Sequence, residues 1–384
     1  MKKKKSIKKM GEIDYGIFYS IIILLSIGVV MVYSASSYYA LYNNNGNSAY
    51  FFTRQAAFAV LGICGMIFMM AFDYHKIKKF TIPLLVITVI CLIAVFAFPG
   101  VKGAQRWIKL GPASFQPSEL AKYAVVIFMA MSLERSGEKV KDFLKGPIKH
   151  LAIAGIFAAL ILKQPNMSIA SVIMFVTFIM LFVAGMRWKH LIGMGMVGLA
   201  GGLTLIFTSG YRADRALNFL NPWKDAAGDG YQLIQSFYAL GSGGVTGLGL
   251  GQSRQKTLYM PEPHNDFIFS IIGEELGLIG CLCIMGLFAF FIWRGIKVAM
   301  NAKDAYGMLL AIGITSIIAV QAIINIAVVT GSMPVTGVPL PFISYGGTSL
   351  VINLIGMGIL LNISRQTQGK EVTNTKPIKV QGNM

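Results

Sequence analysis

Apolar residues in this chain follow neither the 3.6-residue period of an amphipathic helix nor the alternation of a half-buried strand. They run on for about twenty residues at a time, the length a helix needs to cross about 30 Å of hydrocarbon. Runs bounded by charge fall near 15–36, 51–72, 79–98, 117–134, 150–163, 167–186, 191–208, 266–293, 305–330 and 344–364. They predict an all-α polytopic membrane protein with about ten transmembrane helices. The fifth run is short and stops at Gln164-Pro165, which predicts a tilted or broken helix lined by protein. One connection is long: 209–265, between spans 7 and 8. In it YQLIQSFYAL repeats Tyr231, Ile234, Phe237 and Tyr238 at helical spacing and predicts an interfacial amphipathic helix.

Composition agrees with a bilayer as solvent. Hydrophobic residues make up 55% of the 384 and charged ones 13%, which excludes a soluble enzyme. The net charge of +18 is spread over short connections rather than one face or tail, so no nucleic-acid partner is expected. If the N-terminus is cytoplasmic, the inner segments hold 23 of the 34 Lys and Arg residues and the outer ones 11, predicting N-in/C-in topology with the long loop outside. The lysines before residue 15 imitate a secretory signal, but the run from Tyr15 to Tyr33 exceeds a signal core and reads as an uncleaved span. The organisation is then a basic cytoplasmic N-terminus (1–14), a transmembrane domain (15–364, extracellular loop 209–265) and a cytoplasmic tail (365–384). All four cysteines fall in apolar runs, and neither disulfides nor zinc is expected.

Ionisable residues at the edges of spans are costly and therefore candidates for function. GPASFQPSELAK opens the fourth span: Ser118 is placed to cap, Glu119 to meet the helix dipole, and Lys122 lies one turn deeper. Glu119 and Lys122 share a face, so they read equally as a local ion pair. PEPHNDFIFSIIGEELG opens the eighth span with Asp266, which is either a helix N-cap or a general base; Ser270, Gly273 and Gly277 follow on one face, and Glu274 and Glu275 lie deeper as buried partners. GSGGVTGLGLG, with six glycines in eleven residues, can approach a ligand closely or act as a flexible lid. GSMPVTGVPLPFISYGGTS breaks the helix at membrane depth, where only protein or a wet cavity satisfies such backbone. Arg54, Lys102, Arg106, Lys109, Lys163, Arg212 and Arg215 scatter cations over the outer half, matching an anionic headgroup such as a diphosphate or simply solvated. No Walker loop, HExxH or G-x-S-x-G is present.

Together KLGPASFQPSELAK (109–122), LKQPNMS (162–168), LGSGGVTGLGLGQSRQK (240–256), PEPHNDFIFSIIGEELG (261–277) and PVTGVPLPFISYGGTS (334–349) resemble the SEDS family of shape, elongation, division and sporulation proteins. The resemblance covers about residues 12–365 and is closer to the FtsW and SpoVE branch than to RodA, through VYSASS (32–37) and GLGLGQSRQK.

It implies a polymerase in the bacterial plasma membrane, active site outside, that joins lipid II units into β-1,4 glycan strands and releases undecaprenyl diphosphate in division or sporulation. The family's essential aspartate maps onto Asp266, and its QPSE-x-x-K motif onto Gln116, Pro117, Ser118, Glu119 and Lys122. Arg54, Arg106, Arg212, Arg215, His264 and Ser344 complete the expected substrate-binding set. Many members carry an acidic residue where this chain has Asn166, which weakens or moves that carboxylate's role. A divalent cation, Mg2+ or Mn2+, is implied by analogy, with unknown ligands. Expected partners are lipid II, the growing strand, a class B penicillin-binding protein and other division or sporulation membrane proteins; K-T-G, a transpeptidase element, is absent. The competing readings are a lipid-precursor flippase, disfavoured because the candidates gather at one face and no repeat is visible, and a non-catalytic scaffold.

Overall fold

The computed structural model describes residues 11–100, 104–111, 113–143, 146–208, 218–228 and 230–367. Helices account for about three-quarters of it. In chain order they are α1 (Tyr15–Asn43), α2 (Tyr50–Ala71), α3 (Tyr74–Ala94), α4 (Pro117–Ser136), α5 (Pro147–Lys163), α6 (Met167–Val183), α7 (Trp188–Phe207), α8 (Tyr231–Gly243), α9 (Ile268–Met300), α10 (Ala305–Val329) and α11 (Gly347–Thr367). A helix stands at each of the ten expected positions, α1 and α9 running further at their C-termini than the sequence predicts. Among the described residues six are long and apolar enough to cross a membrane: α1, α2, α3, α9, α10 and α11. An antiparallel hairpin of β1 (Ile108–Leu110) and β2 (Ala113–Phe115) precedes α4 and departs from the all-helical expectation.

The bundle has a centre and a rim. α10 and α11 bury 67% of their apolar stretch, while α2 and α3 bury 22% and present the rest outward. A helix apolar on all sides with so little of it covered is one whose solvent is lipid. α4 is the polar exception, with Glu119, Lys122, Glu134 and Arg135 in twenty residues, yet almost all of it is buried in the interior. At one end of the bundle the start of α1 is tied to the end of α11 and to α9. Asp14 caps α1 by accepting the N–H of Ile17 at 3.0 Å, receives Arg294 of α9 at 2.6 Å, and donates its own N–H to Ser364 Oγ at 3.0 Å. The candidate residues lie where α4, α6 and α9 begin and α10 finishes.

α5 is a helix of 17 residues that ends on buried Gln164, whose Nε2 donates to Leu92 O at 2.9 Å. α8 packs against α9 and α10: Ser236 meets Ser270 at 2.8 Å and donates to Val329 O at 2.7 Å. Tyr238, on its other face, is exposed.

Candidate active site

Gln116 precedes α4 and Pro117 takes the first turn, where proline's missing N–H costs nothing. This moves Ser118 inside the helix, so it is not the cap that its position in the sequence predicts. Its hydroxyl accepts instead from Gln116 Nε2 at 3.1 Å and, at 3.5 Å, from Asn166 Nδ2. Asn166 caps α6 with its oxygen, taking the N–H of Ile169 at 3.4 Å. The amide at this position thus does local structural work that a neighbouring carboxylate would share only in part.

Glu119 and Lys122 form the predicted i,i+3 pair at 2.8 Å, with 1% and 0% of the side chains exposed. Lys122 Nζ also donates to Gln321 Oε1 of α10 at 2.9 Å. Burying both charges is expensive, and their separation would be more so.

Asp266 lies one residue ahead of the cap position of α9, which Phe267 fills with no side-chain bond. The Asp266 carbonyl accepts from Asn325 Nδ2 at 2.6 Å, and the same amide donates to Val338 O at 2.8 Å. The carboxylate faces the irregular segment before α11: a Cβ added to Gly337 would stand 3.5 Å from Oδ2. That segment is tied in turn to α6, where the Ser168 hydroxyl donates to Thr336 O. Asp266, the 334–346 segment, α10 and the starts of α4 and α6 form one contiguous band.

The other predicted residues divide. Arg106 is committed to the corner between α5 and α6, donating from Nε to Gln164 O at 3.1 Å and from Nη2 to Pro165 O. Arg54 is half-buried with its guanidinium 4.6 Å from the Tyr50 ring centre. His264 is buried among Tyr39, Phe51 and Tyr345, with Phe51 at 4.2 Å between ring centres. The Ser344 hydroxyl accepts the Leu340 N–H at 2.8 Å, closing a turn, and its carbonyl accepts from Gln55 Nε2 at 3.2 Å. Lys102, Arg212 and Arg215 lie outside the described residues.

The glycine-rich stretch that follows from the end of α8 packs against α9. It runs along a break in α9, where Gly277 adopts φ +66° and ψ −168°. Leu248 and Gly249 donate to Glu274 O and Glu275 O, each at 3.0 Å, and Leu278 donates to Gly244 O at 3.0 Å. A Cβ on Gly247 would fall 2.2 Å from Glu275 O. Gly243 and Gly247 thus serve backbone-to-backbone approach within the protein. Below them Lys256 Nζ lies 2.7 Å from Glu275 Oε1 and 3.0 Å from Ser34 Oγ, with side chains 3% and 0% exposed. Glu274 gathers the Arg254 N–H at 2.9 Å, the Gln255 N–H at 3.3 Å and the Ser253 hydroxyl.

Gln321 and Asn325 escaped the sequence reading. The available signal was a pair of carboxamides one turn apart in an otherwise apolar span, AVQAIINIAVV.

A bundle of apolar helices with buried ion pairs and a carboxylate held at the mouth of one of them defines a multi-pass membrane protein with a polar site at one end. The family comparison is specific: residues 15–369 match the FtsW, RodA and SpoVE family of cell cycle proteins, to which this chain belongs. A probable peptidoglycan glycosyltransferase FtsW from Geobacter sp. (strain M18) is 45% identical over 352 residues, 91% of this chain and 95% of that one. Stage V sporulation protein E of Bacillus subtilis (strain 168) is 44% identical over 351 residues, 90% and 95% of the two chains. Among solved structures, a chain from a peptidoglycan synthase complex that coordinates polymerization and crosslinking superposes with TM-score 0.76 at 26% identity, covering 92% of this chain and 98% of that one. The rod shape determining protein RodA of Thermus thermophilus gives 0.69 at 25%, covering 93% and 98%. The FtsW and SpoVE relatives support the branch that the VYSASS and GLGLGQSRQK segments pointed to.

Proposed function

We propose that this chain is a peptidoglycan glycosyltransferase that polymerises lipid II on the outer face of the bacterial plasma membrane, in division or sporulation. The observation that carries this reading is the carboxylate of Asp266. It stands at the start of α9 against Gly337, on backbone pinned by Asn325, beside a wall that contains the Glu119–Lys122 pair. The relatives' name, peptidoglycan glycosyltransferase, supplies the reaction class.

The chemistry asks little more of the protein. The acceptor's 4-hydroxyl oxygen bonds to the donor's anomeric carbon, that carbon's bond to the diphosphate oxygen breaks, and the hydroxyl proton passes to Asp266. Undecaprenyl diphosphate leaves with the bonding pair and needs charge neutralisation, not a protonating acid. Arg54, half-buried against the Tyr50 ring and hydrogen-bonded to Tyr345, is the cation proposed for that task, and Arg212 and Arg215 belong to the same proposal. Lys122 and Arg106 are already engaged by protein, and act here by fixing the walls of the site. Gln116, His264 and Ser344 likewise hold the loops that frame it.

Among the described residues no three His, Cys, Asp or Glu side chains form a group able to hold a metal ion. The described side chains thus offer no all-protein cage for a cation, and Asp266 with the substrate diphosphate is the ligand set proposed for it. Mg2+ or Mn2+ enters the proposal only as an ion brought by the substrate diphosphate, whose hard oxygens favour it, and no step above runs through it. A class B penicillin-binding protein is the proposed crosslinking partner, supported by the likeness to a chain of a peptidoglycan synthase complex.

The test is polymerisation of lipid II by purified protein, with products sized on a gel. Wild type should give glycan strands, and Asp266→Asn should fold normally and lose about 10²-fold to 10⁴-fold in rate. An Asp266→Asn protein that polymerises near the wild-type rate overturns the assignment.

A further inference from the structure

Two carboxamides on α10 join the two charged features of the site, and the atoms they leave unused reveal what each one is for. Gln321 is fully buried, and its Oε1 accepts from Lys122 Nζ at 2.9 Å while its Nε2 has no partner. Asn325, one turn later and 1% exposed, has the opposite arrangement: its Nδ2 donates to Asp266 O at 2.6 Å and Val338 O at 2.8 Å, while its Oδ1 has no partner. Neither amide can be turned round. A flipped Gln321 would aim N–H groups at an ammonium, and a flipped Asn325 would aim an oxygen at two carbonyls. Residues four apart on a helix stand about 5–6 Å apart on one face. One rigid helix therefore carries the contact that fixes the buried cation and the contact that fixes the backbone of the aspartate.

We propose that Gln321 and Asn325 are positioning residues, Gln321 by acceptance alone and Asn325 by donation alone, which together register Lys122 and the 334–346 segment against Asp266. The inference rests on the polymerase reading for its kinetic test, but the geometry it describes is independent of it. Asn325 is the more demanding of the two. Its amide bonds both the Asp266 backbone and the irregular segment that passes over the carboxylate, at two carbonyls outside the helices. Without those donors two buried carbonyls lose a partner, and among the described residues the Tyr345 N–H to His264 O bond at 2.9 Å is left to hold the two stretches together. A displacement of about 1 Å at a reacting group is enough to cost on the order of 10²-fold in rate.

Two acid-for-amide exchanges of nearly identical shape separate this from ordinary packing. Gln321→Glu keeps the oxygen that Lys122 uses and replaces only the unused nitrogen. Asn325→Asp keeps the unused oxygen and removes both donors. The expected result is an asymmetry: Asn325→Asp loses on the order of 10²-fold in kcat with little change in KM, while Gln321→Glu, which keeps its acceptor but adds a buried carboxyl oxygen, loses about 10-fold less. Hydrogen–deuterium exchange supplies a readout that needs no activity: Asn325→Asp should raise exchange in both 262–267 and 334–340, and Gln321→Glu in neither. Where Asn325→Asp does not yield folded protein, Asn325→Ser, which retains one donor, takes its place and should show the same two segments loosened to a smaller degree. Equal losses for both exchanges, or Asn325 variants with unchanged exchange in the two segments, overturn the assignment. A wild-type protein that fails to polymerise lipid II would sink the polymerase reading instead, and the exchange pattern would still decide the roles of the two amides.

Discussion

Lys256→Met removes one charge from the buried pair beneath the glycine-rich segment while keeping an apolar stem of similar length. Glu275, with its side chain 0% exposed, would retain the Ser34 hydroxyl at 2.7 Å and the Ser253 N–H at 3.4 Å, but nothing positive. Removing one partner of a buried pair costs about 3–5 kcal/mol, because the other charge stays desolvated. The two remaining donors to Glu275 place the expected loss near the lower end, about 3 kcal/mol. Lys256→Met/Glu275→Gln removes both charges and should recover most of it. Unfolding in mixed SDS micelles, followed by tryptophan fluorescence, gives the free-energy differences for the single and double variants. A loss under about 1 kcal/mol for Lys256→Met, the scale of an exposed pair, would refute the reasoning. So would a double variant less stable than the single. The first result would mean that water reaches the pair, and the glycine-rich segment would then not be locked to the break in α9 by a buried charge.

Lys122→Met should cost stability on the same scale as Lys256→Met and lower polymerisation, and Lys122→Met/Glu119→Gln should regain stability without regaining activity; recovery of both would make the pair purely structural. Gly28→Ala places a Cβ 2.4 Å from Phe342 O and 2.7 Å from Ile343 Cα, backbone atoms that have to move, so it should destabilise by about 1–3 kcal/mol or more and raise exchange in the segment before α11. Asp73 sits in the connection between α2 and α3. Burial pushes its pKa up, but hydrogen bonds from Gln366 Nε2 and from His75 prevail and hold it below the usual 3.8. A lowered folded-state pKa stabilises above the unfolded value and ceases to do so as pH falls through the folded one. Asp73→Asn should therefore lower the thermal midpoint at pH 7, with the difference from wild type closing below about pH 4; a difference that is constant over that range would show that its ionisation contributes nothing.

How much of this molecule was readable before folding depends on whether a feature is satisfied within one segment or between several. A helix in lipid satisfies its backbone internally, so a run of about twenty apolar residues determines an element by itself. That is why every expected position holds a helix. The same holds for chemistry confined to one turn: Glu119 and Lys122 share a face by spacing alone, and the structure pairs them. Asp266 stood out because a carboxylate at the edge of a span is costly wherever it points. Partners distant in sequence left no such mark. Ser118 reads as a cap until Pro117 is seen to occupy the first turn and Asn166, 48 residues on, reaches its hydroxyl. The glycines of 241–251 permit a lid or a close approach equally well, and only the fold shows that Gly243 and Gly247 lie close against the backbone of α9. Arg106 reads as a free cation until two carbonyls of the α5–α6 corner are found against it. Gln321 and Asn325 are the clearest case. An amide offers both a donor and an acceptor, so composition specifies neither role. Which half of each amide is used was decided by what the fold placed opposite: an ammonium for Gln321, and two carbonyls for Asn325.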